Sequence, residues 1–145
     1  LIDEVAEMTR RLAKEKRIEI IKQNNPRIKF FGDREKIKEM LMNLAANAVK
    51  YNQPQGRVII TTQIKRNKIG IEVKDTGIGI AKPDLPFIFD RFYRAQDIER
   101  YKKKGGSGIG LSVSRWIARA HGGEIKVKSK VGVGTKFMVI LPFSK

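Results

Sequence analysis

The apolar positions of this chain change period several times, and each change marks an element. Through residue 16, Leu1, Val5, Met8 and Leu12 recur at helical spacing. Ile18-Glu19-Ile20-Ile21 predicts a short strand, Asn24-Asn25-Pro26 a turn, and residues 28–31 a second strand. Asp33 is placed to N-cap a helix whose apolar face is Ile37, Met40, Leu41, Leu44 and Ala48, and Gln53-Pro54-Gln55-Gly56 stops it. A hairpin follows. Val58, Ile60, Thr62 and Ile64 alternate, Arg66-Asn67-Lys68 turns, and Ile69, Ile71 and Val73 alternate back. The same period of two carries Asp75 onto the inward face. Residues 84–94 hold a short apolar segment whose Phe87, Phe89 and Phe92 are expected in the core, and the polar, basic stretch 95–104 reads as a mobile loop. A last helix is predicted over 107–121, with Ile109, Val113, Trp116, Ile117 and Ala120 on one face and Gly122-Gly123 as its stop. Strands at about 124–129 and 135–141 flank the turn Gly132-Val133-Gly134. Hairpins with interspersed helices predict a mixed sheet with helices on one face, an α/β (α+β) two-layer sandwich.

Composition narrows the function classes. A length of 145 residues suits one domain with a single core, and 41% hydrophobic residues can fill it. No apolar run approaches the ~20 residues that cross a bilayer, and no signal-peptide pattern opens the chain. It begins in mid-helix without an initiator Met, as a piece of a longer protein would. The absence of cysteine excludes disulfides and thiolate metal sites and fits a reducing compartment. A net charge of +16 suggests nucleic acid or acidic partners. The basic residues are spread along the chain without an aromatic-interleaved strand, which favours a solvated lysine-rich exterior and no nucleic-acid partner.

Three clusters carry candidate chemistry. Asn43, Asn47 and Lys50, at i, i+4 and i+7, form one stripe beside an apolar helix face. An amide oxygen is a hard, uncharged ligand suited to magnesium, and the lysine is a compact charge suited to phosphate. Polar residues bordering a core give the same stripe. Asp75 needs a donor on its buried face. An adenine amino group would supply one and guanine would not, but the glycine-rich turn that follows it, Thr76-Gly77-Ile78-Gly79-Ile80, could satisfy it with its own backbone. Gly106, Gly108 and Gly110 lead into a helix, where bare amides attract anions, although no Gly-Lys-Ser/Thr of a P-loop follows. His121, the one histidine, lies in the last turn of that helix, where it is expected to cap the helix end or complement its dipole.

Taken in order, these segments resemble the catalytic ATP-binding domain of sensor histidine kinases, with the Bergerat fold shared by gyrase, Hsp90 and MutL. Residues 43–51 resemble the N box, 75–80 the first glycine box, 88–94 the F box and 106–111 the second glycine box. His121-Gly122-Gly123, residues 132–137 and Leu141-Pro142 resemble the family's tail. The resemblance implies a sheet of about five strands in a catalytic domain over 17–145, preceded over 1–16 by the junction from an absent dimerisation domain. It implies ATP and Mg2+ as cofactors, with Asn47 on the metal and Lys50 on the phosphates. Tyr51 would pack near the nucleotide, Asp75 would meet the adenine amino group, and Gly77, Gly79 and Ile80 would shape the pocket. Arg94 would approach the terminal phosphate, residues 95–106 would form a lid, and Gly106, Ser107, Gly108, Ile109, Gly110, Leu111 and Thr135 would complete the site. Where gyrase-like relatives carry a water-activating glutamate, this chain has Asn43, a neutral amide that accepts no proton. The γ-phosphoryl group would therefore pass to a histidine on the parent's dimerisation domain and on to a response regulator receiver domain. The implied setting is cytoplasmic, with a monomeric isolated domain and a homodimeric parent that could be membrane-anchored. The alternatives are an anti-sigma-type serine kinase with the same boxes and a basic nucleic-acid-binding module.

Overall fold

In the computed structural model, which describes residues 1–23, 25–90 and 110–142, the alternating segments become five strands. These are β1 (Glu19–Gln23), β2 (Arg57–Lys65), β3 (Lys68–Asp75), β4 (Glu124–Lys130) and β5 (Gly134–Pro142). They form one mixed sheet in the order β1-β2-β3-β5-β4, parallel between β1 and β2 and antiparallel elsewhere. Three helices, α1 (Ile2–Ala13), α2 (Arg34–Lys50) and α3 (Gly110–Ala120), share the core with the sheet's inward face. A 3₁₀ segment spans Lys82–Phe87. No described helix is long and apolar enough to cross a membrane.

The two-residue turn of the β2–β3 hairpin is possible because Arg66 takes φ +58°. Val58, Ile60, Ile71, Val73, Phe137 and Val139 fill the inward face, and Lys74, Lys136 and Lys128 stand opposite one another across β3, β5 and β4 on the other. The α2 face is the predicted one. Met40, Leu41 and Leu44 are fully buried, each contributing about 1.5–3 kcal/mol. Asp33 caps α2 by accepting from the Lys36 N–H at 3.1 Å.

One sequence expectation fails, and the expected buried faces hold only in part, with Val5, Ile117 and Phe89 buried. Residues 28–31 are not a strand. β1 pairs with β2 through Glu19–Gln23, and the Ile28–Phe31 run joins no ladder; Ile28 and Phe30 pack on the core while Phe31 is fully exposed. The buried face of α1 is Val5, Ala6, Thr9 and Ala13, with Leu1 and Leu12 exposed. On α3 it is Ser114, Ile117 and Ala118, with Trp116 turned to solvent at 64% exposure and Ala120 exposed. Val5 and Ile117 are buried among small side chains, Ala6, Thr9, Ala13, Ser114 and Ala118, which let these helices approach their neighbours closely. The predicted positions of Phe92 and Ile109 lie outside the described residues, and Phe87 is half-exposed rather than in the core.

Candidate functional site

The last residue of β3 is the centre of the site. Asp75 is 8% exposed, on the face of Ile71 and Val73 where alternation predicts it. Its Oδ1 accepts from the Gly77 N–H at 2.8 Å and the Thr135 N–H at 3.2 Å. The turn's own backbone therefore does hold the carboxylate, through one oxygen; among the described residues nothing donates to Oδ2. Burial pushes the carboxyl up from 3.8 to about 6, against the pull of the two N–H groups.

The glycine turn is fastened on two sides. Its Ile78 N–H donates to the Tyr51 carbonyl at 3.0 Å, and a Cβ on Gly77 would run into that same carbonyl oxygen. Gly79 sits at φ +77° against the Lys130 carbonyl, a conformation and a space that only glycine fits. The Ile80 N–H donates to Ser129 Oγ at 2.7 Å, and Ser129 Oγ lies 2.7 Å from Thr135 Oγ1. Thr135 thus joins Asp75 and the turn in one network.

The amide stripe lies on the flank of α2, half-buried at Asn43, Asn47 and Lys50. Asn43 Nδ2 donates to the Gly110 carbonyl at 3.3 Å, tying α2 to the start of α3. The Asn47 amide makes no side-chain hydrogen bond among the described residues, so its oxygen is available to a cation. Lys50 Nζ lies 5.4 Å from the centroid of the Tyr51 ring. Leu111 packs against the core beside Gly110. Arg94, Gly106, Ser107, Gly108 and Ile109, together with the predicted lid, lie outside the described residues. The structure therefore brings together Asp75, Gly77, Gly79, Ile80, Thr135 and Tyr51, and separately Asn43 with Gly110.

The sequence reading missed several supporting groups. Asn52, 3% exposed, accepts from Thr76 Oγ1 at 3.1 Å and donates to the Arg57 carbonyl at 3.0 Å. Ser129 follows Ile125 and Val127 at an inward-facing position of β4, and a hydroxyl where alternation asks for an apolar residue was its signal. His121 caps the end of α3, as its position in the sequence predicts, and also reaches α2. Its Nε2 accepts from the Asp33 N–H at 3.1 Å while Nδ1 lies 2.8 Å from the Ile117 carbonyl, so the Nδ1–H tautomer satisfies both and links the end of α3 to the cap of α2.

The family model of histidine kinase-, DNA gyrase B- and HSP90-like ATPases matches residues 32–145. The chain belongs to this family. Within it the resemblance is to the histidine kinases. The sensor histidine kinase WalK of Bacillus subtilis (strain 168) is 38% identical over 137 residues, which cover 92% of this chain and 22% of that protein. The signal transduction histidine-protein kinase ArlS of Staphylococcus aureus (strain USA300) is 44% identical over 94 residues, 65% of this chain and 21% of that one. The chain thus spans about a fifth of the length of these relatives. Among solved structures, full-length ShkA in complex with AMPPNP superposes with a TM-score of 0.85 at 30% identity, covering 99% of this chain and 29% of that one. The nucleotide-free catalytic domain of the histidine kinase ThkA superposes at 0.83 and 26%, covering 99% and 92%. The five-stranded sheet with its helices is the fold of these catalytic domains, and the anti-sigma serine kinases and the nucleic-acid modules give way to the sensor-kinase branch.

Proposed function

We propose that the chain binds Mg2+–ATP at this site and is the catalytic domain of a two-component sensor kinase. Its γ-phosphoryl group would pass to a histidine on a separate dimerisation domain of the parent, and from there to a response regulator receiver domain. In this reading residues 1–16 are the junction from that domain and 17–145 the catalytic domain. The isolated chain is a monomer and the parent a homodimer, working on the cytoplasmic side.

The single observation behind the reading is the Asp75 carboxylate, buried with one oxygen engaged and the other open to a donor. An adenine amino group fits that oxygen, and such a bond to a charged acceptor is worth about 1.5–3 kcal/mol. The guanine oxygen would be repelled there. The half-exposed Asn47 amide and the Lys50 ammonium suit a metal–triphosphate, and Mg2+ there would neutralise phosphate charge. Asn43 offers water no base, because its N–H is turned to Gly110 and a neutral amide accepts no proton. The bound triphosphate is thereby kept for a protein nucleophile. Arg94 and residues 106–109 are assigned to the phosphates on family resemblance.

Calorimetric titration with a non-hydrolysable ATP analogue and its GTP counterpart tests the base assignment. The expected result is binding of the adenine form, with at least about tenfold preference. Equal binding of both, or of neither, overturns it. Phosphotransfer from labelled ATP to the parent's dimerisation fragment, giving acid-labile phosphohistidine, tests the reaction.

A further inference from the structure

A lysine far from the glycine turn in sequence holds the backbone on which that turn rests. α2 ends at Lys50, and the last carbonyls of a helix have no partner within it. Lys16, in the turn between α1 and β1, reaches across to them. Its Nζ lies 2.7 Å from the Lys50 carbonyl, 3.2 Å from that of Val49 and 3.4 Å from that of Asn52. One ammonium thus gathers three carbonyls, and its charge sits at the negative end of the helix dipole. The Lys16 carbonyl in turn accepts from the Gln55 N–H at 2.8 Å, so the two segments are joined by backbone as well.

The carbonyl of residue 51 points the other way. It accepts from Ile78 and limits residue 77 to glycine, while the Asn52 side chain holds Thr76. Residues 49–52 are therefore a strip of backbone gripped on one side by Lys16 and supporting residues 76–78 on the other. Asp75 draws one of its two N–H bonds from within that supported turn, at Gly77. We infer that Lys16 is a positioning residue for the purine pocket: by fixing the carbonyls that end α2, it sets the height of the Asp75–Ile78 turn against the base. The inference rests on the nucleotide reading proposed above and extends it to a residue outside every nucleotide-binding motif.

A positional role and an electrostatic one make different demands. If Lys16 acted as a distant positive charge on the phosphates, its loss would weaken the triphosphate and spare the nucleoside. If it positions the turn, both ligands suffer alike. The experiment measures affinities of adenosine and of a non-hydrolysable ATP analogue for the full chain, for Lys16→Met and for Lys16→Arg, alongside thermal melting of each. Lys16→Met is expected to weaken both ligands by about tenfold, and Lys16→Arg, which keeps charge and donors, to recover most of it. Lys16→Gln, keeping an amide donor without charge, gives an intermediate loss and serves if Lys16→Met folds poorly. Two results overturn the inference: unchanged affinities with only a lower melting temperature, or a loss confined to the triphosphate. Failure of the unsubstituted chain to bind either ligand sinks the nucleotide reading and this inference together. Tight binding by that chain with variant-independent affinity sinks this inference alone.

Discussion

At the scale of single residues, Asp75 trades stability for recognition. Its carboxyl titrates at about 6 in the fold against 3.8 in an ordinary setting. Between those values the folded chain holds a proton that the unfolded chain has lost, so stability falls as pH rises from about 4 to about 6 and the penalty is complete above that. Keeping the buried group ionised at neutral pH costs about 3 kcal/mol. Asp75→Asn removes the charge and keeps an oxygen for Gly77 and Thr135. Urea unfolding is expected to show the variant about 1–2 kcal/mol more stable than the parent chain at pH 8, with the difference closing towards pH 4. The same variant loses its preference for adenine, since its amide can also donate. A variant less stable at pH 8 than at pH 4 relative to the parent would contradict the raised carboxyl. For binding, the sign reverses. Affinity for adenosine rises through about pH 6, because the ionised oxygen is the better acceptor.

At the scale of elements, α2 and α3 are an antiparallel pair tied at both ends. Asn43 holds the Gly110 carbonyl at the start of α3, and His121 just past its end takes the N–H of Asp33, the cap of α2. The spacings agree: residues 33 to 43 and 110 to 121 span about 15 and about 16.5 Å at helical rise. Asn43→Ala removes one tie and is expected to cost about 1 kcal/mol. His121→Ala removes the other, with a ring contact to Phe30, and is expected to cost about 1–2 kcal/mol. Because the ties lie a helix length apart, the double variant should equal the two losses combined to within about 0.5 kcal/mol by chemical denaturation, and a larger departure would mean the helices shift as a unit. The elements themselves were mostly legible in the sequence. Alternation found the hairpin and the inward Asp75, and a cap with a helical stripe found α2. What was lost was lost to tertiary context. Residues 28–31 have strand-like composition, yet they join neither open edge of the sheet, and Ile28 and Phe30 pack on the core from outside any ladder. Trp116 and Leu12 look like core residues, but α1 and α3 turn them outward and bury Val5 and Ile117 among Ala6, Thr9, Ala13, Ser114 and Ala118, where close approach to neighbours outweighs the area a larger side chain would hide. Hydrogen bonds from Lys16, Asn52 and Ser129 into the site belong to the same class, since they join segments whose proximity no local pattern announces.

At the scale of the whole molecule, the charge of +16 is distributed unevenly among neighbours. Acidic partners cluster on the helical layer, where Glu4 meets Arg34 and Lys38 and Asp3 meets Lys22. The open face of the sheet has fewer. There Lys74, Lys136 and Lys128 stand directly opposite one another on adjacent strands, relieved by Glu72 at 4.0 Å from Lys136. Outward positions of the described strands carry no aromatic ring. Like charges directly opposite in a sheet are destabilising, by up to about 1 kcal/mol a pair. Lys128→Glu converts one repelling pair into an attracting one on the sheet face opposite to Asp75. It is expected to raise stability by about 0.5–1 kcal/mol at 10 mM salt, where the Debye length is about 30 Å. The gain should shrink several-fold near 0.5 M, where screening falls to a few ångströms, and the parent chain should itself melt at a higher temperature as salt is added over the same range. Melting curves at the two salt levels separate this from packing effects. A gain that ignored salt would place its origin in side-chain contacts rather than in the row of lysines, and a parent chain destabilised by moderate salt would mean its ion pairs outweigh its excess charge.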